Sequence, residues 1–521
     1  MPALAQTRAD VLRGEYGRYR ANNDLLSYRL DIKVDPAKQF LSGKNTIRFR
    51  MLNDDNRIQI DLYAFWAIDR ILLGDMSLKY TREINAVFID FPETLRAGRT
   101  YAIDFYYSGR PEPTARFGCI TFLKDTAGRD WITTACEDSG ASYWWPNKDQ
   151  WRDEVENMQI SVAVPNQLTA VSNGAFAGKT DLRDGYTRWD WTVHYPINNY
   201  GVALNIAAYE HISDRFGGLA LDYYVLPEDL DKAKQQFAQV TPMLQAFEHY
   251  FGEYPFKQDG YKLIEVPYAG MEHQSAVAYG NHFVNSYYPS ADWTGVQISP
   301  RFDFIIIHES AHEWFGNAVT AADVSDMWIH EGWATYLECL FVEYMYGHSD
   351  YLAYVNAEKN KVRNIEPIIS RRGIHQEPSQ DQYFKGALFL HTLRSVVDDD
   401  RRWFVLIRDM YQRFKYKTIL TEDIVEFFNQ QTGMNLTPVF NEYLRHADVP
   451  MLQLKFDEAM HSVSYRWKAS EAGFAMPVRV GNPNAWQIVR PTIEWQTTPW
   501  AGTPADFEVA TNLYYVYVER Q

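Results

Sequence analysis

Two hydrophobic periods divide this chain, and the point where one gives way to the other limits what it can fold into. Up to about residue 210 the apolar residues alternate with polar ones. Tyr28, Leu30, Ile32 and Val34 do so in "SYRLDIKV", Tyr101, Ile103, Phe105 and Tyr107 in "YAIDFYYS", and Met158, Ile160, Val162 and Val164 in "MQISVAV". A period of two turns one face of a strand to a core and the other to solvent, and Gly, Pro and Asn-Asp between the runs supply the turns. In "LPEDLDKAKQQFAQVTPMLQAFEHYFG" the period lengthens, and Leu230, Ala233, Phe237, Val240, Leu244 and Phe247 share one helical face. Pro242 is expected to kink that helix or to start a new one. Further helices are expected over 301–315, 328–346, 384–397, 402–414 and 421–432, the last with Thr421 as N-cap and Gly433 just past its end. A strand-like interlude, "YKLIEVPYAGMEHQSAVAYG", separates the first helix from the others. After "VPMLQLKF" strands return in "MPVRV", "IVRPTIEW" and "ATNLYYVYVE". The chain thus reads as multidomain α+β: an N-terminal antiparallel β domain over 1–210, a mostly helical domain with a small sheet over 211–447, and a small C-terminal β-sandwich over 448–521.

With 521 residues the chain is too long for one ordinary core. Its 46% hydrophobic and 15% aromatic content argues against disorder. A net charge of −16 disfavours nucleic acid and anionic membranes as partners. No apolar run is long enough to span a bilayer. The cysteines, Cys119, Cys136 and Cys339, make neither a disulfide framework nor a metal-ligand spacing. Cys119 and Cys136 could bridge a hairpin, but buried free thiols are the expected state. "MPALAQTRAD" lacks the basic and apolar regions of a signal peptide. Its "ALAQ" nevertheless resembles the small-residue end of a cleaved signal, which favours export, periplasmic or secreted, over the cytoplasm.

The segment "RFDFIIIHESAHEWFGN" suits a buried helix capped by Gly316 and Asn317. Residues i and i+4 differ by about 40° around a helix, so His308 and His312 project to one side and can share an ion. Glu309 stands about 100° further round, out of the coordination sphere but within reach of a water. This is the logic of the HExxH pattern. The competing interpretation is a helix with two ordinary polar histidines. A tetrahedral catalytic zinc also needs a third protein ligand. "DMWIHEGWATYLE" offers Glu331 on a second helix, with His330 and Glu338 as alternatives. Glu338 is also placed to orient a ligand histidine by a hydrogen bond.

His308-Glu309-x-x-His312, then eighteen residues, then Glu331, resembles the zinc aminopeptidases of the aminopeptidase N type, as do the surrounding "HEWFGNAVT" and "MWIHEGWATYLE". The resemblance implies a thermolysin-like catalytic domain and one zinc ion held by His308, His312 and Glu331. It implies Glu309 as general base toward the attacking water. Ala269-Gly270-Met271-Glu272-His273 is similar to the family's GxMEN segment. By that likeness Glu272 binds the free ammonium of a peptide, Gly270 and Met271 line an edge strand that pairs with it, and His273 replaces the usual Asn. A histidine there would add pH dependence near neutrality. Tyr383-Phe384-Lys385-Gly386 matches Tyr-x-Lys-Gly, which makes Tyr383 the oxyanion donor. In "TTACEDSGASYWWPNKD" Ala135 falls where the family has Gln, and Glu137 is expected to take part of that role. The family order covers nearly the whole chain, without the large helical domain that many members add, so a more open cleft is expected.

The leading expectation is removal of N-terminal residues from peptides with a free amino terminus. The alternatives are an endopeptidase of thermolysin-like chemistry, a bifunctional enzyme resembling leukotriene hydrolase, and a catalytically dead binding protein on the same fold. Intact Glu309, Tyr383 and ligand residues argue against the last.

Overall fold

The computed structural model of the chain describes residues 7–112, 119–137, 139–376 and 378–521, so "ALAQ" lies outside the described residues. The N-terminal region is β-rich, as its alternation requires. Asn23–Asp35 lies inside an eight-stranded sheet, and Leu30, Ile32 and Val34 point into a core that also takes Ile47, Phe105 and Ile160. Most pairs are antiparallel, but Asn23–Asp35 runs parallel to Asn157–Pro165. The second of these strands returns only after a long excursion through two further sheets, and a long connection permits parallel pairing where a hairpin does not.

The middle region pairs a five-stranded sheet with helices. Its strand order is Glu210–Phe216, Leu219–Val225, Tyr261–Glu265, Val277–Tyr279, Gly270–Met271, which leaves Gly270–Met271 on an edge. Leu230–Gln236 and Val240–Phe251 are separate helices joined by one tight turn, and Pro242 sits in the first turn of the second. A first-turn proline loses no intrahelical hydrogen bond. The helix expected over 301–315 starts at Phe304, because the Asp303 carboxylate accepts from the amides of Ile305 and Ile306 at 3.1 and 3.3 Å. Its α-helical part ends at Ala311, and a wider π turn carries Glu313–Asn317. Thr421 is not the N-cap of its helix. Leu420 holds that position and Asp423 receives its amide, while the Thr421 hydroxyl donates to buried Asp326 at 2.5 Å. His348–Ala357 and Thr437–Arg445 are helices that the sequence reading did not separate out.

Cys119 and Cys136 are joined in a disulfide rather than free. Cys119 pairs with Ala135 across the Cys119–Lys124 and Asp130–Ala135 hairpin. That register sets Cys136 one residue beyond its partner, with Cα atoms 4.4 Å apart, within bridging range. Cys339 is free and buried. Two small C-terminal sheets follow, and their Leu452, Trp467 and Val480 belong to the same apolar cluster as Phe389 and Tyr443 of the helical region. Among the described residues no helix is long and apolar enough to cross a membrane.

Candidate metal centre

His308 and His312 leave the buried end of the Phe304–Ala311 helix toward Glu331, in the first turn of Trp328–Tyr346. His308 Nε2 and His312 Nε2 are 3.3 Å apart, and each is 3.3 Å from Glu331 Oε2. Ligands at about 2.0–2.1 Å from a tetrahedral zinc are separated by about 3.3–3.4 Å, so this triangle has the size the ion demands. The outer ring nitrogens are already committed. His308 Nδ1 donates to Glu338 Oε1 at 2.7 Å and His312 Nδ1 to the Phe315 carbonyl at 3.0 Å. Both Nε2 lone pairs therefore face the centre. Burial opposes charge on His308, but Glu331 and Glu338 outweigh it and hold its pKa well above the ordinary value. A divalent cation among these groups displaces such protons. The residues present fit zinc.

The π turn is what aims His312. Phe315 leaves helical geometry and Gly316 takes φ 130°, which turns the Phe315 carbonyl back onto His312. A Cβ at Gly316 would stand 3.1 Å from His312 Nδ1. Of the alternative ligands, Glu338 supports His308, and His330 faces away from the triangle: the Ala321 amide donates to its Nε2 at 2.8 Å.

Glu309 is buried beside the triangle, and burial pushes its carboxyl pKa up. Its side chain lies against Gly270, where a Cβ would meet Glu309 Oε1 at 2.5 Å. Gly270 is thus needed to make room for Glu309 as well as to keep the edge strand open. Met271 lines the cavity beyond it. Glu272 is 3% exposed, and its carboxylate lies with those of Glu137 and Glu331 inside a span of 4.8 Å. Burial raises its pKa and Glu331 adds to the rise. Three carboxylates so close in a dry site hold their charge only with cations between them. Glu137 occupies the turn straight after bridged Cys136. Tyr383 lines the same cavity with its ring 6.0 Å from that of His308. Its Lys-Gly neighbours do structural tasks. Lys385 Nζ donates to the carbonyls of His446 and Ala447, and Gly386 packs on Gly332, where a Cβ would come within 2.9 Å of Gly332 Cα. That close crossing brings Asp381–Val397, and with it Tyr383, against the helix that carries Glu331.

The chain matches the model described as "Peptidase M1 N-terminal domain" over residues 25–200 and that described as "Peptidase family M1 domain" over residues 235–443. The chain belongs to peptidase family M1. Among curated relatives of this M1 chain, endoplasmic reticulum aminopeptidase 1 of Homo sapiens is 24% identical over 348 residues, covering 64% of this chain and 36% of that protein. Aminopeptidase N of Mus musculus is 26% identical over 357 residues, covering 63% and 36%. The chain therefore matches little more than a third of the length of these relatives. Among solved structures, an M1 zinc metallopeptidase from Deinococcus radiodurans superposes with a TM-score of 0.67 at 21% identity, covering 82% of this chain and 94% of that one. A mutant of that enzyme bound to a Tyr-Ser-Ala substrate superposes with a TM-score of 0.68 at 21% identity, covering 82% and 96%. These two likenesses carry the fold.

The M1 site also contains residues that motif reading missed. Tyr200, from the N-terminal region, donates its hydroxyl to Glu272 Oε1 at 3.0 Å and lies 3.2 Å from His330 Nδ1. Because His330 Nε2 accepts from Ala321, Nδ1 carries the proton and donates to Tyr200. Burial lowers the His330 pKa to about 3, so the ring stays neutral and this direction holds. Trp151 stacks on Tyr200 at 4.7 Å and on His330 at 5.2 Å. His273, in contrast, does not line the cavity. It is fully buried, neither ring nitrogen has a hydrogen-bond partner among the described residues, and burial lowers its pKa to about 3. It therefore stays neutral through the range where pH sensitivity was expected of it.

Proposed function

We propose that this chain is a zinc-dependent aminopeptidase that hydrolyses the N-terminal peptide bond of peptides with a free amino terminus. One observation carries the reading: the carboxylates of Glu272 and Glu137 gather on one side of the three-donor triangle, sharing Glu331 with it inside a span of 4.8 Å. An anionic recess beside a hydrolytic centre fits the ammonium of a first residue and sets its carbonyl next to the triangle. His308, His312 and Glu331 hold the metal. When bound, zinc acts as a Lewis acid that lowers the pKa of a coordinated water to about 7 and polarises the scissile carbonyl. Glu309 takes a proton from the attacking water and delivers one to the departing amine. A buried carboxyl with an upward-shifted pKa suits both roles. Tyr383 donates its hydroxyl to the developing oxyanion, at the wall where its ring faces His308. Gly270 and Met271 offer an open strand edge to an extended peptide. Binding of Tyr-Ser-Ala by the Deinococcus radiodurans mutant supports a peptide substrate.

We propose three structural units, 1–210, 211–447 and 448–521, the last two sharing one core. The buried Cys119–Cys136 bridge supports an oxidising compartment and hence export.

The test is metal analysis alongside turnover. The protein is expected to hold one zinc per chain, Glu309→Gln to keep zinc while losing turnover, and His308→Ala to lose both. Full activity in Glu309→Gln would contradict the reading.

A further inference from the structure

The cavity in front of the triangle has a volume of about 590 Å³, in the range of small-ligand sites. Its lining is sorted by charge. The carboxylates of Glu137, Glu272, Glu309 and Glu331 lie at the metal end. Aromatic rings line the wall beyond them. Among the described lining residues a single lysine or arginine occurs, Lys361.

Lys361 is exposed, its backbone is held in a turn, and it has no anionic partner among the described residues. Its ammonium makes no ion pair and no hydrogen bond with the described residues and sits 5.5 Å from the centroid of the Trp293 ring. Its backbone amide donates to the Glu358 carbonyl at 2.8 Å, closing the turn Glu358–Asn360. The same turn is tied to the C-terminal region, because Lys359 Nζ donates to the Thr511 carbonyl at 2.6 Å. Trp293 packs edge-to-face on Phe304 at 5.1 Å, and Phe304 stacks on His308 at 5.3 Å. Lys361 therefore stands two rings away from a metal-ligating histidine, on the wall that also carries Phe384, 5.7 Å from Trp293. An extended peptide of three or four residues spans about 10–14 Å, and the successive contacts of 5.5, 5.1 and 5.3 Å set an upper limit of comparable size on the path from Lys361 to His308.

A cavity that is anionic at one end, aromatic between and cationic at the other complements a zwitterion with apolar side chains. We propose that Lys361 binds the C-terminal carboxylate of short peptides, so that the preferred substrates are peptides of about three or four residues with both termini free. The proposal rests on the aminopeptidase reading above and adds the far end of the substrate to it. A lysine suits the task because its compact charge and rotating donors follow a carboxylate whose position shifts with chain length. The Trp293 ring, 5.5 Å away, attracts the ammonium and occupies none of its hydrogen-bond donors.

The experiment measures kcat and KM on one apolar tripeptide and one tetrapeptide, each as free acid and as C-terminal amide. A third form is the amide with Glu as last residue, and an N-acetylated free acid is the control. Wild type, Lys361→Met and Lys361→Arg are compared. Wild type is expected to favour free acid over amide about tenfold, through KM, as one charge-assisted hydrogen bond would give. Lys361→Met should bring that ratio close to one, and Lys361→Arg should restore most of it. N-terminal cleavage with the same acid-to-amide ratio in wild type and Lys361→Met would overturn this proposal alone. Equal preference for the Glu amide, lost in Lys361→Met, would overturn the C-terminal assignment in favour of an acidic side chain. Cleavage of the acetylated control, or none of any form, would overturn the aminopeptidase reading itself and this proposal with it.

Discussion

The hydroxyl of Tyr200 donates to Glu272 Oε1 at 3.0 Å, so a residue of the β-rich N-terminal region holds a carboxylate of the helical region in place. The contact is charge-assisted, and His330 behind it fixes its direction. Such bonds contribute about 1.5–3 kcal/mol. Tyr200→Phe removes the donor and leaves the stacking on Trp151. It should raise KM for free-amine peptides about tenfold with zinc content unchanged, as read by steady-state kinetics and metal analysis.

Gly270 tests the packing of Glu309. An alanine Cβ there falls 2.5 Å from Glu309 Oε1, so the carboxylate must move. A displacement of about 1 Å in a catalytic group can cost about a hundredfold. Gly270→Ala is expected to lower kcat by about that factor, with thermal unfolding and zinc content close to those of the parent.

Glu338 tests the support of the metal. It accepts from His308 Nδ1 at 2.7 Å and from the Tyr354 hydroxyl at 2.9 Å. Loss of such a partner typically weakens metal binding by about 10–100-fold. Glu338→Gln keeps an acceptor but loses the charge, and about a tenfold weaker zinc affinity is expected in competition with a chelator.

His391 gives a stability signature far from the site chemistry. Its Nδ1 accepts from Tyr351, its Nε2 donates to the Asn512 carbonyl, and burial lowers its pKa to about 3. The folded state then binds fewer protons than the unfolded chain, whose histidine titrates near 6.5. Its contribution is complete above about pH 6.5 and is lost as pH falls toward 3. At pH 5.5 the loss is about 1.4 kcal/mol. In urea unfolding at pH 7.5 and 5.5, His391→Gln should lose about 1.4 kcal/mol less than the parent between the two.

How much of this could be read from the sequence depends on the distance over which each feature is specified. The i, i+4 spacing of His308 and His312 is a local rule, and their meeting needs one helix to form. Alternation in "SYRLDIKV" likewise specifies a half-buried strand. That Gly270 also makes room for Glu309 could not be read, because the atom concerned belongs to another element. Tyr200 was hidden for the same reason: its partners Glu272 and His330 lie 72 and 130 residues away, and it is one of 35 tyrosines. The cysteine pairing turned on hairpin register, which a one-residue slip would have changed. Thr421 shows the limit of local signals. A good capping residue was drawn off by buried Asp326, and Leu420 became the N-cap, its amide donating to Asp423.

The most direct test of the central claim uses one apolar peptide with its amino terminus free and acetylated, incubated with and without a chelator and read by mass. Stepwise loss of N-terminal residues from the free form alone, stopped by the chelator, is the expected result. Internal cleavage of both forms would contradict the account and reduce Glu272 to a structural carboxylate.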